Sequence, residues 1–91
     1  MNLNEGTILL QFGASWCKPC AAIQPQAEQI AQMNAARYVK IDVEQEHKLA
    51  TQFNVRGVPT FVVLRDGQEL GRQQAGTPNA LRQLVHTCLS R

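Results

Sequence analysis

Apolar and polar positions in the first half of the chain follow two kinds of repeat, one typical of buried strands and one typical of amphipathic helices. Residues 7–12 form an almost continuous apolar run, which suits a strand buried on both faces of a sheet. From about residue 19 to residue 33 the apolar residues recur at helical spacing. Residues 37–43 place an apolar side chain at every second position, which predicts a second strand. Because a helix joins these two strands, we expect them to be parallel, with a right-handed crossover.

The second half of the chain predicts a short helix, a hairpin and a last helix. Residues 44–53 are polar apart from one narrow apolar edge, as in a short surface helix. Residues 58–64 form the most hydrophobic stretch, and the Asp66-Gly67 pair behind it is a strong hairpin signal, so residues 68–74 should return antiparallel. Thr77 can cap a last helix. The predicted order is βαβαββα, an α/β fold with a mixed four-stranded sheet flanked by helices.

Length, composition and charge limit the class of protein. A chain of 91 residues can form one domain with a single modest core, so we expect residues 1–91 to form one domain. The sequence is 44% hydrophobic and 18% charged, and no apolar run approaches the roughly 20 residues of a membrane span. A net charge of +2 with scattered basic residues predicts no nucleic-acid surface. We recognise no export signal at the N terminus, so we expect a cytoplasmic protein with no membrane partner.

The candidate chemistry lies in Trp16-Cys17-Lys18-Pro19-Cys20, where the first strand gives way to the first helix. A cysteine at the first turn of a helix meets unpaired N–H groups and the positive end of the helix dipole, which stabilise a thiolate. Cys17 has that position, and Lys18 adds a positive charge next to it. Pro19 suits a first helical turn because it has no N–H group to leave unbonded. Helical spacing brings Cys20 beside Cys17, close enough to form a disulfide.

The helical pattern makes the two sulfurs inequivalent. Cys20 lies within the apolar stripe and Cys17 near its edge, so we expect Cys17 to be the exposed attacking thiol and Cys20 the shielded resolving thiol. The alternative is a zinc site, which needs two more ligands. The candidates are Cys88, His47 and His86, but no second paired-ligand motif accompanies them. We therefore favour redox chemistry with no metal and no bound cofactor, and interpret Cys88 as a buried apolar residue of the last helix.

Two motifs together resemble the thioredoxin family. Residues 11–20, QFGASWCKPC, are similar to the active-site stretch of thioredoxins, and residues 54–60, NVRGVPT, are similar to their substrate-binding loop. The resemblance runs from about residue 7 to the C terminus, and implies a thioredoxin fold that lacks most of the usual N-terminal strand and helix. It also implies a thiol-disulfide oxidoreductase that reduces protein disulfides by dithiol-disulfide exchange through Cys17 and Cys20, with a role in electron transport and cell redox homeostasis.

The resemblance implies how substrates and partners are bound. The peptide bond before Pro59 would be cis, and Val58, Pro59, Thr60 and Gly76 would bind an extended substrate segment by a form of strand addition. Trp16, Val58 and Gly76 would complete a flat apolar rim. The substrates would be proteins that contain disulfides, and a flavin-containing thioredoxin reductase would restore the dithiol.

Two positions depart from the family pattern. Gln11 stands where thioredoxins usually carry a buried aspartate, and Tyr38 stands where a neighbouring lysine is common. An amide cannot act as a base for Cys20 at neutral pH. The missing negative charge, together with Lys18, should stabilise thiolates and make the pair less reducing than a typical thioredoxin. These departures slightly favour an alternative function, a protein-binding or chaperone module with incidental redox activity. The intact Cys17, Cys20 and Pro59 weigh more heavily in favour of the redox function.

The quaternary structure follows from the predicted sheet. With a short N-terminal segment, the strand at residues 37–43 would lie at an exposed sheet edge, where another chain can pair. We expect a monomer, and homodimerisation through this edge is the alternative.

Overall fold

A mixed four-stranded sheet forms the centre of the protein. The structure is a computed structural model that describes residues 2–90. These residues contain, in chain order, β1 (Thr7–Gly13), α1 (Lys18–Met33), β2 (Arg37–Asp42), α2 (His47–Gln52), β3 (Thr60–Arg65), β4 (Gln68–Gln74) and α3 (Pro78–Leu89). The strand order in the sheet is β2-β1-β3-β4. β1 is parallel to β2 and antiparallel to β3, and β3 is antiparallel to β4. The predicted βαβαββα order and the mixed sheet are therefore confirmed.

The two central strands, β1 and β3, divide the core into two layers. Residues 8–13 of β1 are all buried, which explains the near-continuous apolar sequence of this strand. Because side chains alternate along a strand, Leu9 and Val63 face one layer while Leu10 and Val62 face the other. α1 and α3 cover the first layer, and the shorter α2 and the N-terminal segment cover the second. The candidate site lies where β1 ends and α1 begins.

The start of α2 differs from the prediction. The sequence predicts a helix over residues 44–53, but α2 begins at His47. The reason is a turn organised by Asp42, whose Oδ1 accepts a hydrogen bond from the backbone N–H of Glu44 at 2.8 Å. The carbonyl of Asp42 also accepts the N–H of Glu46 at 2.8 Å. An aspartate that bonds nearby backbone in this way competes with helix formation, so the helix starts three residues later than predicted.

The other elements agree with the predicted bounds to within two residues. β4 has the predicted bounds, and α3 begins at Pro78 with Thr77 as its N-cap. The Oγ1 of Thr77 accepts the N–H of Ala80 at 3.1 Å, as the sequence predicts. β3 begins at Thr60 rather than at residue 58, because Thr60 is the first residue of this segment that pairs with both neighbouring strands.

α3 packs closely against β4 at Gly71. A Cβ atom at Gly71 would lie 2.7 Å from the Sγ of Cys88 and 3.3 Å from the Cδ1 of Leu84. Cys88 is 1% exposed and belongs to the core layer that α1 and α3 cover. The interpretation of Cys88 as a buried apolar residue is confirmed. The lack of a side chain at Gly71 therefore allows α3 to lie directly on β4.

Two features of the surface bear on possible partners. β2 lies at one edge of the sheet, as predicted. Of its six residues, Ile41 alone is buried, and Lys40 is exposed. No helix within residues 2–90 combines the length and the apolar character needed to cross a membrane.

Candidate active site

A disulfide between Cys17 and Cys20 lies at the N-terminal end of α1. Cys17 is the N-cap of this helix, and its Sγ accepts a hydrogen bond from the backbone N–H of Cys20 at 3.2 Å. Pro19 lies in the first turn, as the sequence predicts. Lys18 is exposed next to the N-cap. A sulfur in this position is next to the positive end of the helix, where a thiolate charge is stabilised.

The exposure of Cys17 differs from the prediction. The sequence predicts an exposed Cys17, but this residue is 6% exposed in the disulfide form, and Cys20 is 1% exposed. Cys17 forms a small apolar cluster with Cys20 and Ala14, against which Val43 and Val58 pack. The two valines come from distant parts of the chain, so the helical pattern alone does not predict their cover. The order of exposure still places Cys20 deeper than Cys17.

Gln11 and Tyr38 form a hydrogen-bonded chain that ends at the backbone of Cys20. Gln11 is fully buried, and its Nε2 donates to the carbonyl oxygen of Cys20 at 3.0 Å. The hydroxyl of Tyr38 donates to the Oε1 of Gln11 at 2.7 Å. Burial, and secondarily the negative charge of Glu28, raise the pKa of Tyr38 above its ordinary value, so its hydroxyl stays protonated. The two positions that depart from the family pattern are therefore in direct contact.

Gly13 is a site residue that the sequence analysis missed. It is the last residue of β1, and it lies two positions after Gln11 on the same face of the sheet. A Cβ atom at Gly13 would lie 3.3 Å from the Sγ of Cys20 and 3.4 Å from its Cβ. The glycine thus makes room for the deeper sulfur. The available signal was a glycine at the end of a buried strand, immediately before the cysteine motif.

Gly13→Ala is expected to destabilise the reduced protein through a specific contact with Cys20. The added methyl group would crowd the Cys20 sulfur, and overpacking of this kind costs about 1 kcal/mol. Urea unfolding of the reduced protein measures the cost. In a Cys20→Ala background most of that cost should disappear, because the sulfur is gone. An equal cost in both backgrounds would show that the methyl group does not act through the Cys20 sulfur. Any effect of alanine on the unfolded chain is the same in both backgrounds and cancels in this comparison.

The loop before β3 lies beside the disulfide. The Val58-Pro59 peptide bond is cis, which confirms the expectation from the family resemblance. Val58 packs against the cluster that contains Cys17 and Cys20. The hydroxyl of Thr60 donates to the carbonyl of Gly57 at 2.6 Å. The N–H of Ala75 donates to the carbonyl of Pro59 at 2.7 Å, which holds the β4-α3 turn against this loop.

Two separate depressions border the cysteine motif. The first has a volume of about 250 Å³ and is lined by Trp16, Val43, Val55, Arg56, Gly57 and Val58. The second has a volume of about 310 Å³ and is lined by Pro19, Ala22, Ile23, Gln26, Gly76, Thr77 and Pro78. Trp16 and Val58 therefore line the first depression, and Gly76 lines the second.

Trp16 is held at the surface by a residue that the sequence analysis did not single out as a site residue. The side chain of Trp16 is 66% exposed, and its Nε1 donates to the Oε2 of Glu44 at 3.2 Å. Glu44 lies in the turn organised by Asp42, so the shape of this turn places the carboxylate next to the indole.

Within residues 2–90, no three side chains among His, Cys, Asp and Glu come together in a group that could hold a metal ion.

The fold and the site together define a class of protein. A redox-active cysteine pair at the start of the first helix, next to a cis-proline loop, is the arrangement of a thiol-disulfide oxidoreductase. The sequence model of the thioredoxin family matches residues 1–87, and the chain belongs to the thioredoxin family.

Individual thioredoxins agree with this assignment. The thioredoxin of Bacillus subtilis (strain 168) is 36% identical over 86 residues, which cover 91% of this chain and 83% of that protein. The solved structure of a mutant thioredoxin from Halobacterium salinarum NRC-1 is 34% identical, with a TM-score of 0.83, and the match covers 93% of this chain and 76% of that chain. The thioredoxin of Trypanosoma brucei brucei is 27% identical, with a TM-score of 0.86, and the match covers 98% of this chain and 80% of that chain. The protein is a thiol-disulfide oxidoreductase that acts on protein disulfides.

Proposed function

We propose that the protein works as a reductant of other proteins, with Cys17 as the nucleophile and Cys20 as the resolving thiol. The Cys17 thiolate attacks a substrate disulfide, forms a mixed disulfide and releases one substrate sulfur as a thiolate. Cys20 then attacks Cys17, which releases the second substrate sulfur and leaves the internal disulfide. Two electrons pass from the dithiol to the substrate. The observation that carries this assignment is the position of Cys17 Sγ at the N-cap, 3.2 Å from the N–H of Cys20.

The substrate segment is proposed to bind in extended form along Val58, Pro59 and Thr60. Strand addition at such a loop uses backbone groups for affinity and side-chain depressions for selectivity. The depression that includes Trp16 and the depression that includes Gly76 each border the cysteine motif, which supports this placement. The proposed substrates are therefore proteins whose disulfide lies in an exposed segment that can adopt an extended conformation.

A reductase partner and a reducing compartment complete the proposed cycle. The oxidised protein needs two electrons for each turnover, and a flavin-containing thioredoxin reductase is the proposed source, as the family implies. The cytoplasm is the proposed location, because a reducing compartment can keep the Cys17-Cys20 pair supplied with electrons for repeated turnover. Insulin reduction driven by NADPH and a thioredoxin reductase tests the activity and the partner together. Absence of insulin reduction with both the reductase and a chemical dithiol would overturn the proposed reductase function.

The reduction potential of the Cys17-Cys20 pair is proposed to be less negative than the value of about −270 mV for thioredoxin. Gln11 is neutral and fully buried, and Lys18 is a cation next to the N-cap. Both features lower the energy of a thiolate relative to a site with a buried carboxylate, and a stabilised reduced form is a stronger oxidant.

Lys18→Gln is expected to make the potential more negative by roughly 10 to 20 mV, because one nearby cation contributes a fraction of the 1.4 kcal/mol that corresponds to 30 mV. Equilibration with glutathione measures the potential. Lys48→Gln, which removes the same charge from the surface helix α2, is the matched control and should leave the potential unchanged. A wild-type potential at or below that of thioredoxin, or equal shifts in both variants, would contradict the proposed electrostatic cause.

A binding or chaperone module is the second candidate function. The neutral Gln11 removes an internal proton acceptor that would assist redox turnover. The exposed Trp16 and the adjoining depression form a surface on which a partner could dock without thiol exchange. A variant in which both Cys17 and Cys20 are serine separates the two functions, because partner binding would survive in it and electron transfer would not.

A further inference from the structure

The resolving cysteine is tied to the centre of the sheet through a side chain that carries no charge. Gln11 lies in β1, which is flanked by β2 and β3, and it is fully buried. We propose that Gln11 is a positioning residue for the resolving step: its amide, oriented by Tyr38, holds the Cys20 carbonyl and so keeps the Cys20 sulfur facing Cys17. The inference rests on the proposed function, because it takes Cys20 as the resolving thiol.

The hydrogen-bond partners require an amide at position 11. The carbonyl of Cys20 can only accept, so the NH₂ end of Gln11 must face it at 3.0 Å. The Oε1 of Gln11 therefore faces Tyr38, whose hydroxyl donates at 2.7 Å. This order fixes the orientation of the amide without ambiguity. A carboxylate at the same position would place an acceptor against the Cys20 carbonyl, which is repulsive unless the carboxyl group is protonated.

The anchor acts where the helix has to stay in place during the exchange. When Cys17 is bonded to a substrate, the internal disulfide that joins it to Cys20 is open, and the first turn of α1 loses that covalent tie. The bond from Gln11 to the Cys20 carbonyl does not depend on the disulfide. Gly13, which leaves room for the Cys20 sulfur, lies on the same face of β1 as Gln11. The strand therefore supplies both a hydrogen bond and space to the resolving residue.

In the resolving step, the Cys20 thiol and the substrate thiol are therefore the only sulfur groups that lose or gain a proton. The Cys20 S–H group gives its proton to a solvent base, and the thiolate electron pair forms the S–S bond to Cys17. The bond between Cys17 and the substrate sulfur breaks, and the substrate leaves with the electron pair as a thiolate that takes a proton from solvent. Gln11 cannot exchange a proton at neutral pH, so it acts on the position of Cys20 and does not accept the Cys20 proton.

The groups around Gln11 support this separation of roles. From β2, Tyr38 is held protonated by burial, and Lys40, the register partner of Gln11, is exposed. From α1, Glu28 interacts electrostatically with Tyr38. From β3, the register partner of Gln11 is the apolar Phe61. The rate of resolution should therefore rise with pH through a single ionisation, that of Cys20.

The test is a stopped-flow reaction of the reduced protein with excess dithiobis(nitrobenzoate). The first release of thionitrobenzoate reports attack by Cys17 and depends on reagent concentration. The second release is independent of reagent concentration and reports resolution by Cys20. Gln11→Met, which keeps the volume but removes both hydrogen bonds, should slow the second release about tenfold at every pH, as expected for loss of one net hydrogen bond. Tyr38→Phe should slow it about threefold, because the amide remains but is no longer oriented.

The first release provides the internal reference. It should change by less than about twofold in both variants, whereas general structural damage would slow both releases together. Gln29→Met, an exposed glutamine of α1 replaced in the same way, is the matched control and should alter neither release. If Gln11→Met does not fold, Tyr38→Phe and the wild-type pH profile still decide the matter.

Three results would overturn the proposal: unchanged resolution in both variants, equal slowing of both releases, or a second ionisation in the wild-type resolution profile. Failure of the proposed function is distinguishable from these results. A wild-type protein that reduces no insulin would overturn the proposed function, while the reagent, a small disulfide, would still report both steps.

Discussion

Cys20→Ser is expected to stop insulin reduction and to leave Cys17 in a stable mixed disulfide with the substrate. Serine has no thiolate with which to attack the Cys17 sulfur, so the cycle halts after the first exchange. Turnover should fall on the order of 1,000-fold or more, as expected when a group that forms a covalent bond in the reaction is removed. Insulin turbidity measures turnover, and mass spectrometry without reductant measures the trapped complex.

The companion variants assign the two roles separately. Cys17→Ser should abolish turnover without trapping substrate, because the attacking sulfur is missing. Cys88→Ala is the control for cysteine loss in general and should keep turnover, since Cys88 lies in the core between α3 and β4. If Cys17→Ser is the variant that accumulates the mixed disulfide, the assigned roles are reversed. If the Cys17→Ser, Cys20→Ser double variant still binds partner proteins with unchanged affinity, a binding function exists beside the redox function.

The strands and helices could be predicted from the sequence because their signals are local. The apolar run of β1, the helical spacing of α1 and the Asp66-Gly67 turn each act within a few residues, and the strand pairing follows from the connections. The start of α2 could not be predicted in the same way. There the side chain of Asp42 accepts a hydrogen bond from the backbone N–H of Glu44, and this bond competes with helix formation. The apolar pattern does not reveal such a bond.

The candidate site divides in the same way into local and tertiary features. The N-cap position of Cys17 and the disulfide to Cys20 follow from four consecutive residues. The burial of Cys17 does not, because Val43 and Val58 reach it from distant parts of the chain. The family pattern pointed to position 11 and position 38 as a pair, but the direction of each hydrogen bond depends on the register of β1 and β2.

Gly71→Ala is expected to destabilise the protein by about 2 kcal/mol, within the usual cost of overpacking a tight core. The added Cβ would lie 2.7 Å from the Sγ of Cys88 and 3.3 Å from the Cδ1 of Leu84, so α3 would have to move away from β4. Urea unfolding of the oxidised protein measures this cost. Gly57→Ala is the matched control, because its Cβ would meet the movable side-chain amide of Gln74, and its cost should be smaller.

The cause can be isolated by combining Gly71→Ala with Cys88→Ala. Cys88→Ala alone removes a buried sulfur and should be destabilising by about 1 kcal/mol. In the double variant the new methyl group occupies space that the sulfur has left, so the two costs should not add, and the combined loss should fall short of their sum by about 1 kcal/mol or more. Strict additivity would mean that the cost of Gly71→Ala does not come from the contact with Cys88. A coupling would show that Gly71 is needed because the Cys88 sulfur packs directly against it.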